Sequence, residues 1–155
     1  MPRRSAGILL YRSRPDGPEV LLVHPGGPFW AKKDLGAWSI PKGEVEAEEE
    51  PSVAALREFA EETGTSLTGA HLLELGQVRQ KGGKIVLAFA AERDLDPASI
   101  RSNIVEIVWP PRSGRTLLIP EIDRAEWYSL EAARERILAS QAVFLDRLHE
   151  RLTQT

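Results

Sequence analysis

The stretch from Pro51 to Gly64 constrains this chain more than any other. Pro51 suits the first turn of a helix, where its missing N–H has no partner to lose, and Gly64 suits the position just past the end. Between them the spacing predicts a helix over residues 51–63. At 100° per residue, Ser52, Val53, Leu56, Phe59, Ala60 and Thr63 fall on one side. Glu58, Glu61 and Glu62 fall on the other, within about 100° of one another. The apolar side requires a core to lie on. The acidic side holds three carboxylates at i, i+3 and i+4, where like charges repel, and Arg57 is the only cation in the helix.

The charge distribution reinforces this. From Glu44 to Glu62 there are eight glutamates and one arginine, a net −7. The other 136 residues hold 15 acidic and 19 basic side chains, a net +4, so the overall −3 conceals an acidic knot in a mildly basic chain. A solvated acidic face would explain it by composition alone. Crowding on one helix face points instead to a divalent cation with oxygen ligands, magnesium or manganese. The loop before the helix adds Gly43, whose backbone can approach an ion or a phosphate closely, and Lys42, a phosphate partner. Glu49 lies eight residues before Arg57; an ion pair between them would tie loop to helix and orient Glu58.

The rest of the chain reads as one domain over residues 1–155, with no repeat and no long linker. Residues 5–12 and 19–24 are apolar and read as strands around the turn Arg14-Pro15-Asp16-Gly17-Pro18. Residues 24–37, rich in Gly and Pro, read as a long loop, 38–40 as a short strand, and 42–50 as an acidic loop. Residues 72–79 and 85–92 form a hairpin around Lys81-Gly82-Gly83-Lys84. Residues 103–109 alternate as a strand, 111–120 read as a basic loop, 122–128 as a strand, and 130–139 and 141–152 as helices. Strands mixed with a few helices indicate a layered α/β or α+β domain.

Several classes are excluded. With no cysteine there is no disulfide framework, no Cys-ligated zinc or iron–sulfur cluster, and no thiol nucleophile. No apolar run approaches a membrane span, and the N-terminal apolar stretch ends at Tyr11-Arg12, too short for a signal-peptide core, so a cytoplasmic location is expected. A pI near 5.7 and the lack of a basic, aromatic-rich stripe argue against a nucleic-acid binder.

Gly43, five residues, Glu49, seven residues, then Arg57-Glu58-Phe59-Ala60-Glu61-Glu62-Thr63-Gly64 resembles the signature of the Nudix hydrolase family. All seven fixed polar or glycine positions are present, a coincidence on the order of one in 10⁸ per start point at background residue frequencies. Phe59 is aromatic where aliphatic residues are commoner, and Thr65 is polar where the pattern wants an apolar residue; both are packing positions. The resemblance implies an α/β fold: an α/β/α sandwich with a mixed central sheet and the signature on a loop–helix–loop.

It also implies hydrolysis of nucleoside diphosphates linked to another group, using Mg²⁺ or Mn²⁺. Glu58, Glu61 and Glu62 would be the metal ligands with the Gly43 carbonyl, and Arg57, paired with Glu49, would hold Glu58. Glu61 is the first choice as general base, with Glu106 and Glu121 as outside candidates. The run Trp38-Ser39-Ile40-Pro41-Lys42-Gly43-Glu44 is similar to that segment in relatives that cleave dinucleoside polyphosphates such as diadenosine tetraphosphate. A capped RNA end would suit the same chemistry. Lys42, Lys84 and Arg112 are candidates for polyphosphate contacts, Trp30 for base stacking and Glu121 for a further substrate contact. The alternatives are a nucleoside triphosphate or nucleotide-sugar pyrophosphatase, and a non-catalytic nucleotide-sensing module.

Overall fold

In the computed structural model, which describes residues 3–154, the apolar run from Ala6 to Tyr11 becomes the middle of strand β1 (Arg4–Arg14), buried on both faces. It turns directly into β2 (Gly17–Pro25). A long turn-rich segment then leads to β3 (Lys42–Glu44) and helix α1 (Pro51–Thr63). Next come β4 (Leu73–Arg79), β5 (Ile85–Glu92), β6 (Ile104–Val108), β7 (Thr116–Pro120) and β8 (Ile122–Ser129). Helices α2 (Leu130–Arg136) and α3 (Ala142–Thr153) close the chain. The main sheet runs β4-β5-β1-β2-β8, and β3 pairs with the start of β1. The β1–β5 pair is parallel and the others antiparallel, so the sheet is mixed.

Alternation along the central strands divides the core in two. Ala6, Ile8, Leu10 and Leu21 face one side and pack on Ala54, Ala55 and Phe59 of α1. Leu9, Tyr11, Val20 and Leu22 face the other and pack on Ala133, Phe144, Leu145 and Leu148 of α2 and α3. A sheet with helices on both faces is an α/β/α sandwich, and covered faces explain why β1 is apolar throughout. Complete burial of a side chain such as Phe59 or Leu148 favours the fold by roughly 1.5–3 kcal/mol each. Among the described residues no helix is long and apolar enough to cross a membrane.

Local departures from the sequence expectation have physical causes. Residues 38–40 form only isolated bridges, Val23 with Ser39 and Trp38 with Ile137, while the paired strand is β3, in the stretch expected to be loop. Open partner groups at the start of β1 recruit Lys42–Glu44 despite their polarity. Residues 111–120 were expected to be a basic loop, yet Thr116–Pro120 form β7, paired with β6 in a separate two-stranded hairpin. The run Leu117-Leu118-Ile119 carries the strand, and the basic residues gather at its turn. The first C-terminal helix stops at Arg136 rather than at 139, because Ile137 goes extended into the core.

The inner face of α1 is also rotated from the helical-wheel expectation. Ala54, Ala55, Phe59, Glu62 and Thr63 are buried, whereas Val53 is 53% exposed. Glu62 therefore sits on the inward row that begins at Ala55 and passes through Phe59, not on the outer acidic face. Thr63, though buried, is satisfied: its hydroxyl donates to the Phe59 carbonyl and accepts the backbone N–H of Thr65.

Candidate active site

The signature segment meets at the edge where β3, α1 and the start of β8 come together. Arg57 organises it. Its Nε donates to Glu49 Oε2 at 2.9 Å and its Nη2 to Glu49 Oε1 at 3.0 Å, a bidentate pair that holds the loop against the helix. Nη1 donates to Glu58 Oε1 at 2.7 Å, and Nη2 also reaches the Glu44 carbonyl at 3.0 Å. The paired guanidinium holds the Glu49 carboxyl down at about 2. Glu61, one turn on, is only 3.5 Å from Nη1 and stays about half exposed.

Gly43 lies on β3 directly against Glu58: a methyl group there would run into the Glu58 carboxyl carbon and oxygen. Only a glycine leaves that space beside the carboxylate. Glu58 itself is half-buried, and burial raises its pKa against the pull of Arg57. Glu62 is 6% exposed and its Oε2 has no hydrogen-bond partner among the described residues. Burial first, and then the nearby Glu121 charge, push its carboxyl up to about 9, with the Lys42 ammonium working in the opposite direction. Lys42 is itself lowered, by burial and by Lys84.

Lys42, Glu62 and Glu121 line one cleft of about 220 Å³ together with Trp30, Ser39 and Ile40. The tertiary structure thus brings Glu121, from the turn between β7 and β8, to the carboxylates of α1, and sets Lys84 close enough to Lys42 to act on its charge. It does not bring in Arg112, which stands at the exposed tip of the β6–β7 hairpin with a left-handed backbone (φ 61°). Glu106 is exposed on β6 opposite Leu118 and lines neither this cleft nor any other described here. Among the described residues no three metal-ligating side chains converge into a closed cage, since Glu58 is turned onto Arg57. The donor set still fits a hard divalent ion. It offers a buried carboxylate oxygen without a partner, a second carboxylate within electrostatic reach, and a glycine backbone with open space beside it.

Two supporting residues carried no signal in the sequence. Gln141 is buried, accepts the Ile40 N–H at 3.1 Å and donates to Ser39 Oγ, so it pins the segment leading into β3. His24 is buried between Asp123 (2.8 Å from Nδ1) and the Lys33 carbonyl (2.6 Å from Nε2), and so joins the 25–37 segment to β8. Both act across a long sequence separation, which no local pattern reveals.

A family model described as the NUDIX domain matches residues 1–148. The chain belongs to the Nudix family. Over 63 residues this Nudix chain is 43% identical to a "Putative 8-oxo-dGTP diphosphatase 3" of Mycobacterium tuberculosis, a match covering 40% of the chain and 28% of the relative. Over 118 residues it is 30% identical to an "8-oxo-(d)GTP phosphatase" of Mycolicibacterium smegmatis, covering 70% and 34%. The chain therefore spans about a third or less of the length of these relatives. Among solved structures its fold is similar to that of the C. elegans Ap4A hydrolase in a binary complex. That likeness has a TM-score of 0.67 and 22% identity, over 96% of this chain and 97% of that one. The NUDIX domain of Shewanella oneidensis NrtR, complexed with ADP ribose, is similar at a TM-score of 0.65 and 19% identity, over 99% and 90%.

Proposed function

We propose that this Nudix chain, acting as one unit over residues 1–155, is a divalent-cation-dependent hydrolase. Its reaction is cleavage of a phosphoanhydride bond in a nucleoside diphosphate-linked compound, a (di)nucleoside polyphosphate such as diadenosine tetraphosphate. The observation that carries this reading is Glu62: a buried carboxyl group with a free oxygen, sharing an open cleft with Glu121 and Lys42 and within electrostatic reach of Glu58. A buried carboxylate without a partner is costly, and a cation offsets that cost. Glu58, Glu61 and Glu62 with the Gly43 carbonyl would hold the ion, Mg²⁺ in preference to Mn²⁺ on cellular availability.

When bound, the ion supplies charge neutralisation for the diphosphate and makes water a competent nucleophile near neutral pH. The protein's own groups do the rest. Lys42 binds phosphate oxygens at the cleft wall. Arg57 keeps Glu58 oriented while it is itself held by Glu49. Water attacks phosphorus, the phosphoanhydride P–O bond breaks, the leaving phosphate departs with that electron pair, and a carboxylate accepts the proton of the water. Glu121 is favoured for that role by its place in the cleft beside Glu62, while Glu61 stands at the exposed rim.

The test is a screen of nucleotide polyphosphates with Mg²⁺, followed by product identification, on native protein and Glu62→Gln. Turnover lost in a folded Glu62→Gln protein supports the assignment; equal turnover refutes it. The names of the mycobacterial relatives favour one second reading, a pyrophosphatase for damaged nucleoside triphosphates. Products separate the two: an asymmetric cut of a tetraphosphate yields a mononucleotide and a triphosphate, whereas a triphosphate yields a monophosphate and pyrophosphate. Nucleotide binding with no hydrolysis would instead mark a sensing module.

A further inference from the structure

A second cleft, of about 340 Å³, adjoins the first. The 25–30 segment supplies one wall, with Phe29 and Trp30, and the β6–β7 hairpin supplies the other, with Ile107, Trp109, Pro111 and Ile119. No charged side chain lines it. It shares Pro25 and Trp30 with the cleft of Lys42, Glu62 and Glu121, so one ligand can occupy both. Its size lies at the small end of the range for ligand sites, enough for a flat ring rather than a whole nucleotide.

The cleft is built rather than incidental. Gly26 and Gly27 let the loop lie directly on β7: a methyl on Gly26 would strike the Pro120 carbonyl, and one on Gly27 would stand 2.6 Å from Ile119 Cδ1. The Gly26 N–H donates to the Glu121 carbonyl at 3.0 Å. The contact that spaces the two walls therefore also sets the backbone of Glu121 in the neighbouring cleft.

The tryptophans divide in the same way. Trp38 donates its indole N–H to Asp34 and Trp127 donates to the Leu95 carbonyl, as interior tryptophans do. Trp30 and Trp109, one on each wall, are half-buried and donate to no protein group among the described residues. Phe29 is 53% exposed beside them. An uncharged slot with an indole on either wall, opening onto a cationic and carboxylate site, matches a molecule with an aromatic heterocycle at one end and phosphates at the other.

We infer that the cleft between the 25–30 segment and the β6–β7 hairpin is a nucleobase subsite, in which Trp109 and Trp30 hold a base while its phosphates reach Lys42. This rests on the reading of the Lys42–Glu62 cleft as the phosphate site. Base stacking on aromatic side chains is sequence-tolerant, so the subsite selects for a base over none more than for one base over another.

Calorimetric titration with diadenosine tetraphosphate, ATP and base-free tripolyphosphate, in EDTA and again with Mg²⁺, tests it. Trp109→Ala should weaken both nucleotides by about tenfold or more and tripolyphosphate by less than about twofold, and Trp109→Phe should recover most of the loss. Leu118→Asn, on the exposed outer face of the same hairpin, serves as a control for hairpin integrity and should bind as native does. Equal losses for nucleotide and tripolyphosphate, no loss at all, a matching loss in Leu118→Asn, or no nucleotide binding by the native protein in either buffer would each overturn the subsite. Trp109-dependent nucleotide binding without hydrolysis would keep the subsite and remove the hydrolase reading; hydrolysis indifferent to Trp109 would do the reverse.

Discussion

Replacing Glu62 with Gln should abolish turnover and at the same time stabilise the metal-free protein. The carboxyl is buried, one oxygen is unpaired, and burial with the Glu121 charge moves it from 4.5 to about 9. Below pH 4.5 Glu62 is protonated in both folded and unfolded chains and contributes no penalty. Above that pH the unfolded chain ionises while the folded one resists, so stability is lost progressively until about pH 9. At pH 7 the 2.5 units between the ordinary value and the solution correspond to about 3 kcal/mol. A glutamine keeps the shape and never ionises.

In EDTA at pH 7, Glu62→Gln should therefore be more stable than the native chain by about 3 kcal/mol in urea unfolding. That corresponds to a melting temperature higher by about 6–12 °C for a domain of this size. At pH 4.5 the two curves should coincide. Added Mg²⁺ should raise the melting temperature of the native chain and close the gap, because an ion that binds only the folded state stabilises it. A native chain more stable than Glu62→Gln in EDTA at pH 7 would refute the reasoning, since it would mean that Glu62 is ionised and compensated, by Lys42, without any metal.

Three further outcomes follow from the same geometry. Arg57→Ala removes the partner of both Glu49 and Glu58; kcat/KM should fall by about 10–100-fold with a higher Mg²⁺ requirement, as for other residues that orient metal ligands. An unchanged Mg²⁺ titration would count against the clamp. Glu49→Gln should flatten the acid limb of stability: Arg57 holds the native carboxyl near 2, so its contribution is present above pH 4.5 and disappears as pH falls through 2, which urea melts between pH 5 and pH 2 will resolve. Gly43→Ala forces a methyl into the Glu58 carboxyl; it should cost about 1–3 kcal/mol in thermal unfolding and lower activity, and a fully active variant would disprove the close approach of β3 to α1.

Much of the site was legible in the chain because its determinants are local. Glu49 and Arg57 lie eight residues apart across a helix start, and Glu58, Glu61 and Glu62 lie within two turns, so spacing alone places them together. The Glu49–Arg57 ion pair seen in the structure is of this kind. What was not legible is long-range. Glu121 reaches Glu62 across some sixty residues because β8 pairs with β2 and the Gly26 N–H, just past β2, holds the Glu121 carbonyl. The wheel placed Glu62 outward because it weighs polarity, whereas packing against the sheet turned the Ala55–Phe59–Glu62 row inward. Leu117-Leu118-Ile119 was obscured by basic neighbours until its partner β6 was in place.

The amino-acid sequence by itself determined the Nudix signature, the helix that carries it, the run of β1 through the core and the absence of thiol chemistry. All of these depend on residue identity or on neighbours within a few turns. Only the tertiary structure decided that Glu62 is buried with a free oxygen, that Glu121 and Lys42 share its cleft while Arg112 and Glu106 do not, and that Trp30 and Trp109 both line a second one. Burial, and the field one charge feels from another, depend on which distant segments the sheet brings alongside, and no local pattern encodes that.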